Sequence, residues 1–253
     1  MDIVTYDGSW QGFFSAVFEV YEYKFSAPSI YKKEVAPASL FGKTHEVITN
    51  ETKAKRVMDK LKQKLSPKAF QQLYKTFLSE QKDVENTMLR YIQYILSSKA
   101  LVENNYTNAD VLLLQQVSKK VDREKHRMEA FVRFQLTKDE LYYAIVQTDY
   151  NVLPLILTHF KNRYADQRWL IYDALRKYGI YYDLHTVTEV QIDFSADVHN
   201  KNELASIYDE KEILYQTLWQ QYFSSVNIKA RKNMKLHIQH MPKRYWKYLI
   251  EKH

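Results

Sequence analysis

The sequence predicts an α+β protein with a helical N-terminal half, a small, mostly antiparallel sheet in the middle and a helical, basic C-terminal end. The chain has 253 residues with only 4 glycines and 5 prolines, and so few turn residues favour long helices. Apolar residues recur at helical spacing up to about residue 125 and then alternate. We expect a single compact domain over residues 1–253, with a helical sub-lobe at 1–125 and the sheet and C-terminal helices at 126–253.

Capping residues mark the predicted helices of the first half. After a short strand at residues 4–6, Asp7-Gly8-Ser9 supplies a turn and a helix cap, and the aromatic stripe that follows is expected to face the core. Residues 29–50 are expected to be irregular, apart from a strand at 45–49. Further helices should begin at Thr49 or Asn50, at Ser66-Pro67, and at Thr107 or Asn108.

The helix after Asn50 has a strongly basic outer face. We favour an ordinary solvated helix face, and a second basic binding surface is the alternative. The cations on this face are Lys53, Lys55, Arg56, Lys60, Lys62 and Lys64.

Alternating apolar residues predict a hairpin in the middle of the chain. Its strands are expected at 127–136 and 141–147, and three more strands at 169–174, 180–184 and 187–194. Asp173, Asp183 and Asp193 lie on or beside these later strands. Carboxylates can bind a divalent metal, but this spacing matches no metal motif, so we expect them to cap turns.

Six polar residues around the hairpin and the following helix are candidates for a catalytic site. Histidine titrates near neutrality and carboxylates can transfer protons, so these residue types suit acid–base chemistry. For His159, which has apolar neighbours, a hydrogen-bonded core position is the favoured alternative. The candidates are His126, Glu129, Arg133, His159, Arg163 and Asp166.

The segment 215–253, which we call the basic tail, carries the whole net charge of the protein. The chain holds 37 Lys and Arg against 30 Asp and Glu, and removing the eight bases and one acid of the tail leaves 29 of each. Aromatic residues lie among these cations, a combination that suits the phosphates and bases of a nucleic acid. The alternative is a docked terminal helix with solvated lysines.

The residues expected to contact nucleic acid lie between positions 229 and 247 of the basic tail. They are Lys229, Arg231, Lys232, Lys235, His237, His240, Lys243, Arg244, Tyr245, Trp246 and Lys247. His237 and His240 could share a metal, but no third ligand is indicated, and we predict no metal site. Pro242 is expected to open a last helix with Tyr245 facing inward.

The absence of cysteine excludes several kinds of chemistry. With 0 Cys the chain has no disulfide, thiolate nucleophile, cysteine zinc site or cysteine-bound iron–sulfur cluster. We predict no cofactor of its own. No apolar run approaches the length of a membrane span, and the first residues lack the pattern of a signal peptide. We therefore expect a cytoplasmic protein without membrane contact.

Several blocks of the sequence, in order, resemble one uncharacterised bacterial family of proteins assigned to DNA metabolism. The blocks are Tyr6–Trp10, Lys125–Phe134, Asn151–Leu155 with His159 and Phe160, Asp166–Asp173, and Asn233–Trp246. The resemblance implies a radical S-adenosylmethionine (SAM) protein of DNA modification or repair as partner. In related proteins the same module is fused to a uracil-DNA-glycosylase-like domain, so such a protein is a second partner to consider. The family provides no catalytic residues to carry over.

These observations lead to three alternative hypotheses about the function. The first is a DNA-binding accessory protein that acts in DNA repair with the radical SAM protein. The second is an enzyme acting on nucleic acid through the six candidate residues. The third is a protein-interaction module that uses a surface rich in tyrosine, of which the chain has 21, without touching DNA.

Overall fold

The computed structural model describes residues 2–37, 44–191, 216–218, 238–249 and 252. The chain divides into two compact units, Met1–Asp122 and Arg123–His253. The mixture of helices with a three-stranded and a five-stranded sheet confirms the α+β class.

The first unit combines a small parallel sheet with helices. Strands β1 (Asp2–Tyr6), β2 (Pro28–Lys32) and β3 (Thr44–Glu46) are parallel and stand in the order β2-β1-β3. A short 3₁₀ helix, Lys33–Val35, follows β2. The α-helices are α1 (Trp10–Glu22), α2 (Glu51–Lys64), α3 (Pro67–Phe77), α4 (Val84–Ser97) and α5 (Ala109–Phe131), and the boundary between the units falls inside α5.

The predicted helix caps are confirmed. Ser9 Oγ accepts a 2.9 Å hydrogen bond from the backbone N–H of Gly12, and Asn50 Oδ1 accepts one of 3.0 Å from Lys53. Ser66 caps α3 and Asn108 caps α5 in the same way. These side chains accept bonds from N–H groups that have no partner within the helix, which is why the helices begin where they do.

The parallel sheet corrects the expectation of an irregular segment at 29–50. Strand β2 begins at a proline and is too short to show a period of its own, so its strand state comes from pairing with β1. Asn86 Oδ1 also accepts a 2.8 Å hydrogen bond from the N–H of Ile30. The strand predicted at 45–49 lies instead at Thr44–Glu46.

Aromatic rings fill the core of the first unit. Phe13 and Phe14 of α1 are fully buried, as the aromatic stripe predicted. The Trp10 ring packs edge-on against Phe14 at 4.5 Å between centroids. Buried aliphatic residues from α2, α3 and α4 complete this core, among them Leu61, Leu73, Met88 and Ile92.

The second unit contains the predicted mostly antiparallel sheet. Its order is β4-β5-β6-β7-β8, and only the β5–β6 pair is parallel. Helix α6 (Leu153–Arg163) connects those two strands, which is the connection that parallel neighbours need. The strands are β4 (Gln135–Leu136), β5 (Tyr142–Val146), β6 (Trp169–Asp173), β7 (Tyr178–Tyr182) and β8 (Val187–Gln191).

The strand expected from residue 127 was wrong at its start, because α5 continues to Phe131. Val121, Glu124 and Met128 are 0%, 1% and 2% exposed. Their spacing of three and four residues is helical. The residues after Arg127 fit both an alternating strand pattern and this helical pattern. The buried residues follow the helical pattern, so the segment is a helix. The hairpin itself exists, with β4 and β5 antiparallel.

Strand β6 is the buried centre of this sheet, and all five of its residues are buried. On one side, Trp169 packs against Tyr182 of β7 and Phe160 of α6, with ring centroids 5.4 and 6.2 Å away. On the other side, Leu170 and Tyr172 cluster with Tyr143 of β5. Among the described residues, no helix is long and apolar enough to cross a membrane.

Candidate nucleic-acid interface

The structure describes six of the eleven side chains expected to contact nucleic acid. These are His240, Lys243, Arg244, Tyr245, Trp246 and Lys247. The other five lie outside the described residues: Lys229, Arg231, Lys232, Lys235 and His237.

A 3₁₀ helix, Lys243–Tyr248, organises the described part of the basic tail. It begins directly after Pro242, as predicted, although it is a 3₁₀ helix of only 6 residues. Tyr245 and Leu249 face inward and are 3% and 1% exposed, while Lys243 and Lys247 are exposed. The segment therefore has one buried face and one basic face.

Ammonium groups lie close to the aromatic rings of this segment. The Nζ atoms of Lys243 and Lys252 are 6.0 and 5.0 Å from the centre of the Trp246 ring. Lys247 Nζ is 5.5 Å from the Tyr248 ring. The indole N–H of Trp246 donates a 3.0 Å hydrogen bond to the carbonyl of Met241, which fixes the plane of the ring. The rings and cations that alternate along the sequence of the tail are thus also neighbours in space.

A buried carboxylate, Glu124 of α5, holds this segment in place. Its Oε1 accepts hydrogen bonds from the Tyr245 hydroxyl at 2.7 Å and from Arg244 Nη2 at 3.0 Å. The backbone N–H groups of Asp149 and Tyr150 donate to the same carboxylate at 3.0 and 2.9 Å. Four donors satisfy a carboxylate that is 1% exposed.

This arrangement changes the expectation for Arg244 and Tyr245. Arg244 Nη2 also lies 3.0 Å from a carboxylate oxygen of Asp149, so two acidic side chains engage its guanidinium. The buried ring of Tyr245 offers no face to a base. We therefore remove both residues from the surface expected to contact a strand, because they serve to anchor it.

The pKa shifts at the anchor have clear causes. Burial, and then the hydrogen bond to Glu124, raise the pKa of the Tyr245 hydroxyl well above its usual value. Burial by itself would lower the pKa of Arg244, but Tyr245, Glu124 and Asp149 raise it overall. The tyrosine is therefore a neutral donor and the arginine a fixed cation. Sequence patterns missed Glu124, whose only signal is an acidic residue on the buried stripe of α5.

Two further hydrogen bonds connect the tail to the rest of the second unit. The Tyr248 hydroxyl donates to the side-chain oxygen of Gln147 at 3.0 Å. Arg127 Nη2 donates to the carbonyl of Gln239 at 3.1 Å. Burial and the Asp173 charge raise the pKa of Tyr248, so it also stays a donor.

Three of the six catalytic candidates come together at Glu129. Its two carboxylate oxygens lie 3.9 Å from His126 Nδ1 and 3.9 Å from His159 Nδ1. Lys125 Nζ is much closer, 2.5 Å from Oε1. Both histidine distances exceed a hydrogen bond. Nε2 of His159 is buried and has no hydrogen-bond partner among the described residues.

The other three candidates are Arg133, Arg163 and Asp166. Arg133 Nη1 donates to the carbonyls of Ala130 and Val132, at the end of α5. The guanidinium of Arg163 lies 5.7 Å from the centre of the Tyr164 ring. Asp166 is exposed in the turn before β6.

Asp173 and Asp183 cap turns, as expected. Asp173 is fully buried, and its carboxylate accepts hydrogen bonds from Arg176 Nη1 at 2.8 Å and from the N–H of Leu175 at 2.9 Å. Asp183 accepts from the N–H groups of the turn after β7. Asp193 lies outside the described residues. No group of three or more histidine or acidic side chains among the described residues could hold a metal ion.

Most cations on the outer face of α2 have partners inside the first unit, which favours the solvated-face interpretation. Lys53 Nζ lies 3.0 and 2.8 Å from the carboxylates of Glu19 and Glu22. Lys55 pairs with Asp59. Arg56 lies over the Phe18 ring and Lys62 over the Phe70 ring, and Lys64 donates to three backbone carbonyls.

Comparison with known proteins identifies a family that covers most of the chain. The family model of DUF4130, a domain of unknown function, matches residues 82–251. The match spans α4, α5, the second unit's sheet and most of the basic tail, including Glu124 and Trp246. No curated protein matches the chain.

Proposed function

The chain belongs to the DUF4130 family, and from that premise we propose that it is a nucleic-acid-binding accessory protein of DNA metabolism and repair. The observation that carries the proposal is the Trp246 ring with the ammonium groups of Lys243 and Lys252 beside it. A base can stack on an indole, and nearby ammonium groups can contact the phosphates of the same strand.

The anchor beneath this surface supports the proposal. The buried carboxylate of Glu124 accepts hydrogen bonds from Arg244 and from the buried Tyr245 hydroxyl, and Trp246 and Lys243 belong to the same short helix. A rigid support reduces the conformational entropy lost when a ligand orders exposed side chains. The charge of the whole tail acts in the same direction, because the remainder of the chain is formally neutral.

A partner protein is a second part of the proposal. The resemblance to the DNA-metabolism family supports a radical SAM protein as partner, and a uracil-DNA-glycosylase-like protein as a further one. This chain has 0 Cys, so any cysteine-bound iron–sulfur cluster of such a complex belongs to the partner. The accessory chain would then supply binding to the strand while the partner supplies the reaction.

An enzyme acting on nucleic acid is the second candidate, and the cluster at Glu129 favours it. Nδ1 of His126 and Nδ1 of His159 each lie 3.9 Å from one oxygen of this carboxylate. Small movements on substrate binding could bring either imidazole into hydrogen-bond reach. If Glu129→Gln abolishes processing of DNA by the purified chain and leaves DNA affinity unchanged, this candidate replaces the accessory role.

A salt series tests the accessory role. Binding of the full chain to a fluorescent single strand and to a duplex is measured at several salt concentrations. If about five cations contact phosphates, the log–log slope should be about −4.5 for the duplex and about −3.5 for the single strand. The variant Lys243→Ala/Lys247→Ala/Lys252→Ala should reduce the magnitude of that slope by about 2 to 3.

A charge-matched triple variant provides the control. Lys60, Lys82 and Lys138 are exposed and lie outside the tail, and changing all three to Ala should leave the slope nearly unchanged. An equal loss in both triple variants, or a wild-type affinity that does not respond to salt, would contradict the proposal. If the chain does not bind DNA but still captures the radical SAM partner after nuclease treatment and with the tail substitutions, the protein-interaction module is the correct function.

A further inference from the structure

The first unit contains an open groove that neither the tail nor the Glu129 cluster involves. Its volume is about 720 Å³, which lies within the range of sites for small molecules. The groove lies where the first turn of α1 meets α3, outside the residues that the family model matches. Its main lining residues are Trp10, Gln11, Lys68, Phe70, Gln71 and Tyr74.

Three aromatic rings form a corner in this groove. The Trp10 ring is 5.1 Å from Tyr74 and 6.4 Å from Phe70, with interplanar angles of 65° and 73°. A flat ligand that stacks on one ring would therefore present its edge to another, and aromatic pairs favour both arrangements. Trp10 also packs against Phe14 and Phe77 at 4.5 and 5.0 Å, so the core fixes its position before any ligand arrives.

The polar side chains of the groove suit a base that carries an anionic group. Gln11 and Gln71 are exposed carboxamides, which can both donate to and accept from the edge of a base. Lys68 is exposed at the groove, and Lys62 Nζ lies 5.3 Å from the centre of the Phe70 ring. None of the groove's lining residues is acidic. The lining thus combines stacking surfaces, hydrogen-bonding amides and positive charge.

We infer that this groove binds a nucleotide, with the base against the Trp10, Phe70 and Tyr74 rings and the phosphate near Lys68. The same chemistry could come from a free nucleotide or from an unstacked base of a single strand. The inference does not rest on the basic tail, because the groove residues and the tail residues belong to different units.

Calorimetric titration of the full chain tests this site with AMP, ribose 5-phosphate and the oligonucleotide d(A)₆. AMP should bind at least about tenfold more tightly than ribose 5-phosphate, because stacking of one base contributes roughly 1–3 kcal/mol, and tenfold is 1.4 kcal/mol. Lys68→Ala should weaken AMP binding up to about fivefold, as expected for an exposed charge. Gln71→Ala and Trp10→Phe should weaken it severalfold.

Two controls separate this site from the tail and from loss of folding. Gln116→Ala changes an exposed glutamine of α5 and should leave AMP binding unchanged. The tail variant Lys243→Ala/Lys247→Ala/Lys252→Ala should also bind AMP as the wild type does. The same tail variant distinguishes the two sources of the ligand. If it binds d(A)₆ and AMP displaces the oligonucleotide, the natural ligand is an unstacked base of a strand. If it binds AMP but not d(A)₆, the natural ligand is a free nucleotide. The site is disproved if neither ligand binds at millimolar concentration, if ribose 5-phosphate binds as tightly as AMP, or if Lys68→Ala and Gln71→Ala both bind like Gln116→Ala.

Discussion

The hydroxyl group of Tyr245 donates a 2.7 Å hydrogen bond to Oε1 of Glu124, although the two residues are 121 positions apart in the chain. Both are buried, at 3% and 1% exposure. The carboxylate also accepts from backbone N–H groups of the loop after β5. One acidic side chain therefore joins helix α5, that loop and the C-terminal 3₁₀ helix within the second unit.

Removal of the Tyr245 hydroxyl should destabilise the second unit. Tyr245→Phe should lower the free energy of unfolding by about 1–2 kcal/mol, since a buried charged acceptor loses one of its donors. Glu124→Gln should cost more, about 3 kcal/mol, because a carboxamide offers a single acceptor oxygen to the four donors that the buried carboxylate now satisfies. Urea unfolding at pH 7 measures both. Tyr23→Phe, at a ring that is 55% exposed, serves as control and should change stability by less than about 0.5 kcal/mol. If Tyr245→Phe is as mild as the control, the anchor is unimportant.

Asp7, in the turn before α1, should make the stability of the folded protein depend on pH in the acidic range. Burial by itself would raise the pKa of Asp7, but hydrogen bonds from Ser9 and Thr49 lower it overall below 3.8. The unfolded chain therefore takes up a proton at higher pH than the folded chain does. The stabilisation that results is present above about pH 4 and is lost as the pH falls through the lowered pKa of the folded state.

Asp7→Asn tests this linkage, since the amide cannot titrate. The variant should lose about 1 kcal/mol of stability at pH 7 and should show a flatter decline between pH 4 and pH 2 than the wild type. Chemical unfolding across that range measures both effects. Asp166→Asn, at an exposed turn, is the control. An identical decline in the wild type and Asp7→Asn would refute the linkage.

Local chemistry made much of the fold predictable from the sequence. Ser9, Asn50 and Ser66 act on N–H groups within three residues, so their role as caps is visible in a short window. Strand β2 was not predictable in this way, because its state depends on β1, which lies 26 residues earlier in register. The end of α5 was missed because alternating and helical patterns overlap there, and burial of Met128 decides between them.

In the candidate site too, features that depend on neighbouring residues could be predicted, and those that depend on distant residues could not. The sequence places Lys243, Trp246 and Lys247 within five residues, so a short window is enough to group them in one candidate surface. The pairing of Arg244 with Glu124 spans 120 residues, and no local pattern distinguishes that arginine from its exposed neighbours. Sequence patterns can therefore locate the surface, and only the fold shows which cations are already engaged.

Lys64 at the end of α2 should contribute to stability and not to binding. Its Nζ donates to the carbonyls of Ile95, Leu96 and Ser98 at 3.2, 3.1 and 2.6 Å. These include carbonyls at the C-terminal end of α4, which have no partner within that helix. Lys64→Met should lower the free energy of unfolding by about 1–2 kcal/mol, and DNA affinity should stay within twofold of the wild type. Lys60→Met, at an exposed position of the same helix, should leave both unchanged. A large loss of DNA affinity in either variant would instead support the alternative that the basic face of α2 is a second binding surface.

Trp246 should distinguish single-stranded from double-stranded DNA. An unpaired base can stack on the indole, whereas the bases of a duplex are already stacked on each other. Trp246→Leu should weaken binding to a single strand by roughly 1–3 kcal/mol and binding to a duplex by much less, because the phosphate contacts remain. Fluorescence anisotropy with both DNA forms at one salt concentration provides the comparison, and Tyr23→Leu removes an exposed ring in the first unit as control. Equal losses for the two forms would mean that the indole supports the lysines and does not hold a base, and the surface would then act through charge alone.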